Sequence, residues 1–150
     1  STLGSVLPYE IDKRWNEFDH LALTGYTDAN SRLREARDFQ KILNSAIENW
    51  MSGSITAGES FTDFSDRVLG AFEDVKANAG KGKTVVAFSS GGPISLITSK
   101  ILVGDSSLFT ELNSVVVNSS VTTVIVGRYK TRLLAFNQHG HLTNGLSTYR

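Results

Sequence analysis

The stretch Thr84-Val85-Val86-Ala87-Phe88-Ser89-Ser90-Gly91-Gly92-Pro93 decides the fold class. Thr84 to Ser89 is an apolar run short enough for a buried strand, and Gly91-Gly92 follows as a turn. Pro93 suits the first turn of a helix, and Ile94 to Val103 continues with helix-compatible residues. Strand, glycine turn and helix in this order place free N–H groups and the positive end of a helix dipole at a strand's carboxyl end. The turn reads equally as an anion site and as a tight βα connection whose glycines only admit unusual dihedrals.

Upstream, Leu33, Ala36, Phe39, Ile42, Leu43, Ala46, Ile47 and Trp50 recur at spacings of three and four, which predicts an amphipathic helix from Asn30 to Met51. Asp28 or Ser31 is placed to cap its start, and Gly53 lies just past its end. Phe61, Phe64, Val68, Leu69, Phe72 and Val75 form the apolar face of a second helix, capped by Ser60 or Thr62 and ending near Asn78-Ala79-Gly80. Lys81-Gly82-Lys83 reads as a polar turn. Downstream, Val115 to Val117, Ser120 to Val126 and Thr131 to Phe136 are β-rich, with Gly127-Arg128-Tyr129-Lys130 as a hairpin loop. Helices interleaved with strands predict an α/β domain, a layered sheet with flanking helices.

The 150 residues fit a single domain, and no internal repeat or low-complexity linker divides them. Fifteen basic against fifteen acidic residues leave no net charge, which argues against an overall attraction to nucleic acid or anionic membrane. The absence of Cys excludes a disulfide framework, a thiolate metal site and a Cys nucleophile. No apolar run approaches the roughly 20 residues of a spanning helix, and residues 1–9 carry no secretory signal, so the expectation is a cytoplasmic protein.

Gly80-Lys81-Gly82-Lys83-Thr84 resembles the lysine end of a phosphate loop, but Ala77 stands where the full pattern needs Gly, and the motif precedes a strand instead of opening a helix. It reads as a solvated turn. Arg128, Tyr129, Lys130 and Arg132 around the hairpin likewise read as a solvated turn and not as a nucleic-acid surface. His139 and His141 would share a face of an extended segment, but without carboxylate support they make no metal site; none is expected. Glu17 and His20, in Arg14-Trp15-Asn16-Glu17-Phe18-Asp19-His20, are candidates for acid–base work, against the bland reading of an exposed polar loop.

Taken together and in order, these pieces resemble the histidine phosphatase, or phosphoglycerate mutase-like, superfamily. The resemblance rests on Trp15-Asn16-Glu17, on Gly58-Glu59-Ser60 followed by Arg67-Val68, on the strand-and-turn Val85 to Gly92, and on Asn118 to Leu142. It implies a phosphoglycerate mutase-like domain acting on a small phosphorylated substrate, with no cofactor, and Glu17 as proton donor. Ser89, Ser90, Gly91 and Gly92 would hold phosphoryl oxygens.

Two departures qualify the resemblance. The family nucleophile is the His of an Arg-His-Gly motif, which these residues do not contain, and Ser90 stands at the second active-site His. The chain therefore resembles the carboxy-terminal two-thirds of such a domain, without its first strand and helix. It is expected to be inactive through that mechanism, while the complete protein would hydrolyse phosphomonoesters or transfer phosphoryl groups. The alternative is a non-catalytic phosphate-binding or interaction module. His20 or His141 is a candidate replacement for the missing His. A parallel sheet lacking a central strand would expose an edge that another segment, a partner or a homodimer would cover.

Overall fold

A computed structural model describes residues 9–25, 36–56, 58–143 and 148. The chain enters through a 3-10 turn at Lys13–Trp15, capped by the Asp12 carboxylate, and a short helix α1 at His20–Thr24. Helices α2 (Ala36–Met51), α3 (Phe61–Asn78), α4 (Gly91–Val103) and α5 (Phe109–Val115) follow. Strands β1 (Val121–Val126) and β2 (Thr131–Gln138) close the order as an antiparallel hairpin. The domain is mixed α/β.

The helical periods translate directly into packing. Leu43, Ala46, Ile47 and Trp50 of α2 meet Phe64 and Val68 of α3, Leu96 and Ile97 of α4, and Phe109 of α5 in one core that also takes Phe18 from the entry loop. Burying each such large side chain contributes about 1.5–3 kcal/mol. Helix α2 is described from Ala36, so the caps expected at Asp28 and Ser31 lie outside the described residues. Gly104, in the left-handed region at φ 88°, terminates α4 as its C-cap.

Helix α3 begins as predicted. Ser60 Oγ accepts from the Asp63 amide at 3.0 Å, and the Asp63 carboxylate accepts from the Ser60 amide, a reciprocal capping box that satisfies two otherwise orphaned donors. Replacing Ser60 by Ala should destabilise the domain by about 0.5–2 kcal/mol. Thermal melts would show this as a drop of roughly 2–4 °C per kcal/mol in a chain of this size, and an unchanged midpoint would reject the cap's contribution.

Two expectations about strands are corrected. Thr84 to Ser89 joins no ladder among the described residues, and Val86 and Phe88 are 70% and 92% exposed. β-branched and aromatic residues favour an extended backbone locally, whereas a strand exists only where a neighbour supplies hydrogen bonds. The described sheet is accordingly the two-stranded β1–β2 hairpin. Val115, expected to be β-rich, ends helix α5, and Val116 and Val117 lead out of it.

The hairpin turns at the predicted residues, where Gly127 N–H donates to the Lys130 carbonyl. Its register slips between Val121 and Val124. Asn137, in the left-handed region at φ 56°, ties the end of β2 to the segment after α5: its Oδ1 accepts from Val117 N–H at 2.9 Å and its Nδ2 donates to the Val115 carbonyl at 2.7 Å. Asn tolerates this backbone better than most residues.

Candidate functional site

The entry loop and the amino end of α4 meet over the core. Phe18 is the anchor: 2% exposed, its ring lies 5.1 Å from Trp50, 5.7 Å from Phe64 and 6.1 Å from Phe109. With Phe18 pointing down, the preceding Glu17 reaches α4, where its Oε2 accepts from Gly92 N–H at 3.1 Å. A carboxylate at a helix N-terminus is favoured by both the free amide and the dipole.

Only glycine fits at that contact. A Cβ at position 92 would overlap the Glu17 carboxylate and stand 2.8 Å from Phe18 Cδ1. Of the two sequence readings of Gly91-Gly92, anion site or permissive turn, the geometry displays close approach at Gly92, filled by an acid of the same chain.

Ser89 Oγ donates to the Trp15 carbonyl at 2.8 Å, a second tie between the same two segments. Ser90 is the N-cap of α4, with extended backbone, a half-buried side chain and no side-chain cap bond. Gly91 and Gly92 are buried. Glu17, Ser89 and Gly92, expected to share a site, are thus joined through Trp15–Glu17, with Ser90 and Gly91 between the latter two in sequence.

The histidines are placed elsewhere. His20 lines a cavity of about 120 Å³ with Phe18, Phe39, Gln40, Leu43 and Asn113, a lining that includes neither Ser90 nor Gly92. His141 Nε2 lies 3.0 Å from the Ser119 carbonyl, and His139 Nδ1 lies 2.7 Å from that of Asn137. Each imidazole of this pair therefore addresses a different backbone carbonyl. Among the described residues, no group of three or more His, Cys, Asp or Glu is arranged to hold a metal ion.

Two residues carry more of this geometry than their sequence suggests. Arg67, on α3, holds Glu59 bidentately through Nε at 2.8 Å and Nη2 at 2.6 Å. Its Nη1 donates to the carbonyls of Arg14 at 2.9 Å and Asn16 at 2.8 Å, and Nη2 reaches that of Glu17 at 3.5 Å. The guanidinium stacks over Phe64, 4.9 Å from its centroid. Opposite charges flanking a capping box, at Glu59 and Arg67, are the one sequence signal of this pair, but nothing in the spacing announces three carbonyls fifty residues upstream.

Arg14 fixes the front of the loop, bridging Asp12 and Asp74 at 2.7 Å each. Hydrogen bonds from Arg14 hold the Asp12 carboxyl below its ordinary 3.8, and the two carboxylates raise the Arg14 guanidinium above its usual range. Both pairs are largely solvated, so they shape the loop more than they stabilise the domain.

These features define a class: an α/β domain in which an acidic entry loop sits on the glycine turn that opens a buried helix. The sequence model of the histidine phosphatase superfamily (branch 1) matches residues 1–139, and the chain belongs to that superfamily. No curated protein and no solved structure matches it. Among the described residues, no helix is long and apolar enough to cross a membrane.

Proposed function

We propose that this chain carries the phosphate-handling half of a phosphomonoester hydrolase or phosphoryl-transfer protein, with Glu17 donating a proton to the leaving oxygen. The Gly91 and Gly92 amides, with the Ser89 and Ser90 hydroxyls, would face the phosphoryl oxygens, Gly92 N–H exchanging the Glu17 carboxylate and Ser89 Oγ the Trp15 carbonyl for the bound anion at a helix terminus that favours negative charge. The observation that carries this reading is the Glu17 carboxylate 3.1 Å from Gly92 N–H: acid and anion-binding donors share one place. A cytoplasmic setting and a homodimer belong to the same proposal.

The sequence contains no Arg-His-Gly, and Ser90 stands at the second-His position, which favours a second reading for these 150 residues. Without a nucleophilic imidazole the domain binds phosphate and does not form a phosphohistidine.

Both readings predict stabilisation by inorganic phosphate, by about 2.7 kcal/mol at a hundred times the dissociation constant. A melting midpoint indifferent to phosphate would remove the site. Hydrolysis of an aryl phosphate separates the two: turnover that falls about 10²–10⁴-fold in Glu17→Gln supports the enzyme, and phosphate binding without turnover supports the module.

A further inference from the structure

We propose that Arg67 is the positioning residue for Glu17, acting through the backbone of the entry loop and not through the substrate. This rests on the reading of Glu17 as the site's acid.

All five guanidinium N–H groups have acceptors: two on the Glu59 carboxylate and three on the carbonyls of Arg14, Asn16 and Glu17. No donor is left for an external anion, so Arg67 does not serve as a phosphate ligand. It spends its fork on the three residues that lead into the carboxylate, with Glu59 and the Phe64 ring fixing the plane of that fork. Arg67 and Glu59 are 22% and 25% exposed, which keeps water from competing freely for these bonds.

The mechanical consequence follows from the neighbouring ties. Phe18 in the core holds the far end of the loop, Arg14 on Asp74 the near end, and Arg67 the peptide planes between them. Glu17 then has one short side chain with which to reach Gly92, and the carbonyl grip sets where that side chain starts. A lysine offers one point charge on a flexible stem and cannot address a carboxylate and three carbonyls from a single plane.

The test uses the 150-residue chain, uniformly labelled with ¹⁵N, and reads the Gly92 amide resonance. In the wild type, Glu17→Gln should move that resonance, because it removes the charged acceptor. In an Arg67→Lys background the same Glu17→Gln change should move it by less than half as much, because the carboxylate has left Gly92. An undiminished response in folded Arg67→Lys would overturn the proposal, since a merely structural arginine would leave the Glu17–Gly92 contact in place. Arg67→Met serves as a second variant, with the same expectation of a collapsed response. If neither variant gives a folded spectrum, Arg67 is a folding residue and the positioning role is rejected. Failure of the phosphate-handling reading is recognised separately, as wild-type protein whose melting midpoint ignores inorganic phosphate.

Discussion

Trp50→Ala is expected to remove about 3–5 kcal/mol of stability, as truncation of a large, fully buried aromatic does. Trp50 is 1% exposed and meets Phe18, Phe61 and Phe64 at ring separations of 5.1, 5.1 and 5.3 Å. Alanine would leave a cavity where two helices and the entry loop converge, and a site bounded by several rings collapses poorly. The indole also has a polar function, since Nε1 donates to the Glu59 carbonyl at 2.9 Å. Trp50→Phe isolates that part: it keeps most of the volume, loses the hydrogen bond and should be destabilised by about 1–3 kcal/mol. Urea unfolding followed by circular dichroism measures both. A loss below about 1 kcal/mol for the alanine variant would mean that Trp50 does not organise the core. Against a total stability of about 5–15 kcal/mol, the expected loss is at least about a fifth of the whole.

Gly92→Ala is the second large effect, and it reaches the candidate site directly. The added methyl meets the Glu17 carboxylate and the edge of the Phe18 ring. The carboxylate can swing away at low cost, but Phe18 is packed among Trp50, Phe64 and Phe109 and has little room to follow. Overpacking of this kind costs about 1–3 kcal/mol, and loss of the carboxylate from the helix terminus adds about 0.3–1 kcal/mol. Phosphate-dependent stabilisation should fall in the same variant. Gly70→Ala, in α3, provides the comparison, because a Cβ there meets only Arg14 Nη1 at an ordinary 3.8 Å: a loss at Gly70 as large as that at Gly92 would contradict the close approach as the reason for glycine.

The three longer helices were legible because caps and apolar periods are local signals, whereas α1 and α5, of 5 and 7 residues, are too short to show a period. Ser60 and Asp63 bracket the start of α3, and the apolar spacing from Phe39 to Trp50 is the period of the face that α2 buries. The hairpin was legible for the same kind of reason, since Gly127 to Lys130 interrupts two β-rich runs. Thr84 to Ser89 reads as a strand but joins none among the described residues, because its residue types favour a half-buried pleated surface, whereas membership of a sheet is a property of the neighbour. Val115 went to a helix because the turns of α5 outweighed its own preference for extended backbone.

Superfamily membership was within reach of the sequence, since it depends on residue types recurring in order: Trp15-Asn16-Glu17, Gly58-Glu59-Ser60, Ser89-Ser90-Gly91-Gly92 and Asn118 to Leu142. So was the identity of the candidate acid as a residue worth testing. The sequence by itself determined where α2, α3 and α4 lie and how α3 starts, because capping, turn chemistry and 3.6-residue periodicity are local interactions within a few residues. Only the tertiary structure decided that Glu17 sits on Gly92, that Phe18 makes glycine obligatory there, and that Arg67 grips the carbonyls of residues 14, 16 and 17. Those contacts join segments fifty to seventy-five residues apart, and backbone carbonyls look alike in every sequence, so their partners are chosen by packing alone.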